Sequence, residues 1–86
     1  MQEVILDCSG VTDAQQLHRV FARNLGFGDW YGNNLDALFD CLTAICQETQ
    51  ICLRSWDSLD QWKKGFACVL EDACEANPRL QVIWQN

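Results

Sequence analysis

Between positions 24 and 53 the chain carries Asp29, Asp36, Asp40 and Glu48 and neither lysine nor arginine. Asp36 and Asp40 are four apart, so on a helix they share one face, where like charges oppose helix formation by about 0.2–0.5 kcal/mol. Asp36 falls in the expected first turn, where the helix dipole favours an anion. Asp40 lies beyond that turn and gains little. Both carboxylates point away from the Leu35/Leu38/Leu42 stripe, with Phe39 at its border. Such a pair can meet a cationic protein surface, hold a weak divalent ion, or work as acid and base. For an arbitrary Asp-x-x-x-Asp the plain reading is a solvated helix face. Trp30 and Tyr31 on the adjoining glycine-rich loop tip the balance toward a protein-binding site, because aromatics are frequent interface anchors.

The catalytic readings are weaker. His18 is the single histidine and sits inside a helix, which marks a partly buried packing residue rather than a base. A Cys–His pair could form in space, yet no local pattern marks a nucleophile. Paired carboxylates also serve glycosidases, but the chain is too small to wrap a sugar. No Cys-x-x-Cys and no paired histidines are present, so a structural zinc is not expected. Two carboxylates on an open helix make a poor magnesium site. Gly26, Gly28 and Gly32 lack the pattern of a phosphate-binding loop. No catalytic residue, metal or cofactor is expected.

The positioning elements follow from periodicity and caps. Residues 3–7 read as a buried strand. Thr12 with Gln15 is a capping-box pattern that starts a helix at Asp13. Ala14, Leu17, Phe21 and Leu25 form its stripe, and Gly26 ends it. Asn34 caps the acidic helix, with Leu35, Leu38, Leu42 and Ile45 on its apolar side. Residues 50–54 read as a second strand. Ser58 with Gln61 starts a short third helix ending near Gly65. Phe66, Val69, Leu70 and Ala73 mark a fourth, stopped by Asn77-Pro78. Leu80–Trp84 is the last strand. Strands separated by helices imply crossovers and hence a parallel sheet. The expected architecture is α/β, with a three-stranded parallel sheet, covered by four helices, in one domain over residues 1–86. Trp56 and Trp62 read as core or core edge, Trp84 as core, and Lys63-Lys64 as a solvated helix end.

The 86 residues carry 6 Lys+Arg against 12 Asp+Glu, a net charge of −6. That balance disfavours direct nucleic-acid binding and an anionic membrane surface, and favours a cationic partner. No apolar run approaches a membrane span. Residues 1–25 hold charges throughout and lack a signal-peptide pattern, so a cytoplasmic location and reduced thiols are expected. Cys41, Cys46, Cys52, Cys68 and Cys74 lie in periodic segments and read as small core hydrophobes.

The run Trp30-Tyr31-Gly32-Asn33-Asn34-Leu35-Asp36-Ala37-Leu38-Phe39-Asp40-Cys41-Leu42-Thr43 closely resembles the binding segment of the barstar family of intracellular ribonuclease inhibitors. Weaker but colinear likeness runs through Leu17-His18 and the helix ending at Glu75. The resemblance implies that Asp40 is a central anchor entering a ribonuclease active site and that Asp36 meets an arginine. It implies that Trp30 packs where the family has a tyrosine over a catalytic histidine, that Gly32, Asn34 and Leu35 contact the enzyme, and that Glu75 is a rim acid. Phe39, where the family has tryptophan, completes the partner-binding set, and Asn33 replaces an acid. These departures bear on which enzyme is bound. The implied activity is inhibition of a basic, barnase-type microbial ribonuclease or related toxin by a free monomer. The alternative is a barstar-fold interaction or immunity domain that binds a different cationic protein. Carboxylates can occupy a site built for phosphates, and opposed charge speeds encounter.

Overall fold

The computed structural model describes residues 1–28, 31–56 and 60–85. The elements in chain order are β1 (Gln2–Asp7), α1 (Ala14–Leu25), α2 (Leu35–Thr43), β2 (Thr49–Arg54), α3 (Lys63–Ala76) and β3 (Leu80–Trp84). The strands form one parallel sheet in the order β1-β2-β3. Val4 is level with Ile51, and Ile51 with Val82. The parallel sheet agrees with expectation.

The helix count does not. Among the described residues there are three helices rather than four. Gly65 does not end a helix; it lies inside α3, the third residue of a continuous Lys63–Ala76 segment. A mid-helix glycine costs about 1 kcal/mol relative to alanine. Here it has a packing use, because a Cβ at Gly65 would stand 2.8 Å from Leu35 Cδ1 of α2. The absent side chain lets the start of α2 settle onto α3. Of the capping box expected at Ser58 and Gln61, Ser58 lies outside the described residues, and Gln61 precedes α3 in a turn.

Among the described residues the sheet is covered on one face only, contrary to the reading of a covered sheet. Val4, Leu6, Ile51, Leu53 and Leu80 face the core with Leu17, Phe21, Leu38, Leu42, Phe66 and Leu70. Ile5, at 50% exposure, and Ile83 point the other way. The connections explain this. Both crossovers step in the same direction across the sheet, and right-handed crossovers that step alike lay their helices on the same face. Each fully buried core side chain contributes about 1.5–3 kcal/mol. Phe21 and Phe66 stack at the centre with rings 6.1 Å apart.

The first helix begins one residue later than expected. Asp13 is its cap and accepts the Gln16 N–H at 2.9 Å, while Gln16 Oε1 accepts the Thr12 N–H at 2.9 Å. Gly26, at φ 73, closes it as expected. Lys63 is not a solvated helix end. It opens α3, is only 3% exposed, and lies 5.4 Å from the ring centroids of both Trp56 and Trp62, with Asp60 at 3.3 Å. Those rings and that carboxylate offset the mismatch between a cation and a helix N-terminus. Trp84 is 37% exposed and stands edge-on to buried Trp56, so it is a core border rather than core. All six cysteines are free, but only Cys8 and Cys41 are buried, and Cys46 and Cys68 are exposed. The reading of the cysteines as core residues therefore holds for Cys41 and fails for Cys46 and Cys68.

Candidate functional site

The acidic helix is built from its N-cap outward. Asn34 is extended, and its Oδ1 turns back to accept the Ala37 N–H at 2.8 Å. Its Nδ2 donates to the Gly32 carbonyl at 3.3 Å, so one side chain ties the loop to the helix start. A Cβ on Gly32 would lie 2.9 Å from that Nδ2, and the cap and a side chain at 32 compete for the same space. Asn33 takes φ 52, a left-handed conformation that asparagine tolerates better than most residues.

Beneath this loop, Tyr31 faces inward rather than toward a partner. Its hydroxyl shares a 2.7 Å hydrogen bond with Nδ1 of buried His18 on α1. Its ring tilts against Phe27 at 5.0 Å, and its N–H donates to the Gly28 carbonyl at 3.0 Å. Burial pushes the Tyr31 phenol well up and holds the His18 imidazole below its usual value. Both rings are therefore neutral near pH 7, and the pair is an uncharged brace between α1 and the loop. His18 is the packing residue the sequence suggested, and its Nδ1 is engaged by Tyr31 rather than by a thiol.

On α2, Leu38, Cys41 and Leu42 are buried, and Asp36 and Asp40 are exposed on the opposite side. Leu35 and Phe39 are half-buried at the border. Burial raises the Cys41 thiol, and the Asp40 carboxylate beside it adds to the effect, so Cys41 stays protonated. A protonated, buried thiol is a poor nucleophile. Thr43 Oγ1 donates to the Phe39 carbonyl at 2.9 Å and closes the last turn.

The structure thus places Gly32, Asn34, Leu35, Asp36, Phe39 and Asp40 on one continuous loop–helix segment. Glu75 is exposed on α3, the helix packed against α2. Trp30 lies outside the described residues. Two residues that the local pattern gives only as a helix end and as a stop before Pro78, Gly65 and Asn77, contact this segment, Gly65 beneath Leu35 and Asn77 by hydrogen bonds to the carbonyls of Leu42 and Ile45. A small residue inside an apolar stripe is the pattern that points to Gly65. Nothing local distinguishes Asn77 from an ordinary terminator.

What results is two exposed carboxylates flanked by half-buried apolar side chains on a capped, braced helix. It can attract and seat cationic groups. Among the described residues no group of three or more His, Cys, Asp or Glu could hold a metal ion, and no helix is long and apolar enough to cross a membrane.

Comparison with known proteins finds both a family and a relative. A family model described as "Barstar (barnase inhibitor)" matches residues 1–86. A protein of Bacillus subtilis (strain 168) named "Putative ribonuclease inhibitor YrdF" is 44% identical over 83 residues, covering 94% of this chain and 91% of that protein.

Proposed function

Because the chain belongs to the barstar family, we propose that it is an intracellular inhibitor of a basic microbial ribonuclease. It blocks the enzyme's active site with the exposed face of α2 and the preceding loop. The observation that carries this reading is the outward placement of Asp36 and Asp40 on a helix whose start is locked by Asn34. A ribonuclease must gather positive charge to hold phosphates. Carboxylates on a preorganised helix can take the place of those phosphates without being cleaved.

In this reading Asp40 is the central anchor and Asp36 meets a second cation. Leu35 and Phe39 supply apolar contact that excludes water around them, and Trp30 adds to it. Gly32 and Asn34 keep the loop close to the helix start, and Glu75 acts from the rim. Opposed net charges accelerate encounter, while residence depends on the packed centre. The chain needs no cofactor, acts as a monomer in the cytoplasm, and protects the cell that makes the enzyme. The relative's name, a ribonuclease inhibitor, supports the same reading.

The test is a pull-down of a panel of secreted bacterial ribonucleases on the immobilised chain, followed by RNA cleavage on whatever is retained. The reading expects at least one basic ribonuclease to be retained and silenced. Retention of a basic protein without nuclease activity, and of no ribonuclease, would move the assignment to an interaction domain of the same fold.

A further inference from the structure

We propose that Asn77 is a positioning residue for the inhibitory helix: it pins the C-terminal turn of α2 and thereby sets where the Asp40 carboxylate stands. The binding half of this inference rests on the reading above; the clamp itself stands without it.

Asn77 is 4% exposed and lies at the junction of α3 and β3, remote in sequence from α2. Its Nδ2 donates to Leu42 O in the last turn of α2 at 3.1 Å and to Ile45 O just past the helix cap at 3.0 Å. The carbonyls of a helix's last turn lack the full set of partners found in its interior; Leu42 O has a long bond from the Ile45 N–H at 3.4 Å, and Asn77 adds a donor from another element. The remaining groups of Asn77 fix the residue that provides the clamp. Oδ1 accepts the Arg79 N–H at 3.1 Å, the backbone N–H donates to Ala73 O at 2.8 Å, and the carbonyl accepts the Leu80 N–H at 3.1 Å. Asn77 therefore belongs rigidly to the end of α3 and the start of β3, and it holds α2 from there.

Asp40 lies two residues before Leu42, and its carbonyl accepts the Ala44 N–H at 3.1 Å in the turn that Asn77 closes. The other end of α2 is located differently, by the Asn34 cap and by Leu35 resting over Gly65. With only nine residues, α2 has little length over which to average out a slack end. A helix this short is marginal without tertiary contacts. Slack at the C-terminal turn falls on Asp40 more than on Asp36, which stands one residue from the start of α2.

The test has two arms, on Asn77→Ala and the milder Asn77→Ser, both first shown to be folded by circular dichroism and amide dispersion. In the first arm, amide exchange is measured on the free protein. Loss of one buried and one part-buried hydrogen bond is expected to accelerate exchange in the last turn of α2, at Cys41 to Ala44, by about tenfold or more relative to the α1 interior. Acceleration of both helices alike, or of neither, overturns the clamp. In the second arm, release from barnase is timed for Asn77→Ala with Asp40 present and with Asp40→Ala. The expectation is release about tenfold faster with Asp40 present and a ratio near one without it. An equal acceleration in both backgrounds overturns the positioning of Asp40. If the unaltered chain does not engage barnase, inhibition of that enzyme fails, and the exchange arm still decides the clamp.

Discussion

Tyr31→Phe tests the brace under the binding loop. The substitution removes one hydroxyl and leaves the ring packed on Phe27 and His18. His18 Nδ1 then loses its 2.7 Å partner in a site from which water is excluded. A buried polar group left without a partner costs about 1–3 kcal/mol, and the phenyl ring recovers a little by being more apolar than the phenol. The net expectation is a loss of about 1–2 kcal/mol, from a total that for such domains is about 5–15 kcal/mol. In a domain this small that corresponds to a fall in melting temperature of roughly 5–15 °C. Urea unfolding at pH 8, followed by tryptophan fluorescence, measures it directly. The pH dependence adds a second check. Burial lowers the His18 pKa in the folded state, so as pH falls the unfolded chain takes up the proton first. Stability is fully present above the unfolded value of about 6.5 and declines as pH drops through it toward the folded value. The decline is at most about 1.36 kcal/mol per pH unit. His18→Gln, which cannot titrate there, lacks this component. A Tyr31→Phe protein within about 0.5 kcal/mol of the parent, or identical pH profiles for the parent and His18→Gln, would refute the brace.

Asp40→Ala is expected to weaken the ribonuclease complex by about 2 kcal/mol or more, mainly through faster dissociation, whereas Glu75→Ala costs less than about 1 kcal/mol. Surface plasmon resonance separates the two, and equal effects would mean that the centre of the site is elsewhere. The association rate is expected to fall steeply between low and high ionic strength while dissociation changes little, and a flat association rate in stopped flow would remove electrostatic steering. Asn34→Ala removes the cap of α2 and the tie to Gly32, with an expected loss of about 1 kcal/mol in chemical denaturation. No loss would show that tertiary packing alone holds the helix start.

Much of this was legible in the residue order because local chemistry wrote it there. Asn34 reads as a cap and acts as one, Gly26 closes α1, and Leu80–Trp84 is the last strand residue for residue. The exposure of Asp36 and Asp40 followed from the Leu35/Leu38/Leu42 stripe on the other side. What failed depends on tertiary relations. Gly65 looks like a terminator until Leu35 of another helix is seen resting on it. Lys63 looks like a solvated cation until Trp56 and Trp62 close around it. The bare sheet face follows from strand order, since two crossovers stepping the same way leave one face uncovered, and strand order is not written in periodicity. Asn77 gives a stop signal to any local reading; its hold on Leu42 and Ile45 spans more than thirty residues of chain.

The most direct measurement is a titration of RNA cleavage by a barnase-type ribonuclease against rising amounts of the purified chain. Cleavage should fall linearly and end near one chain per enzyme, with Asp40→Ala requiring a large excess for the same effect. Undiminished cleavage in the presence of excess chain, across every basic ribonuclease of the panel, would contradict the account.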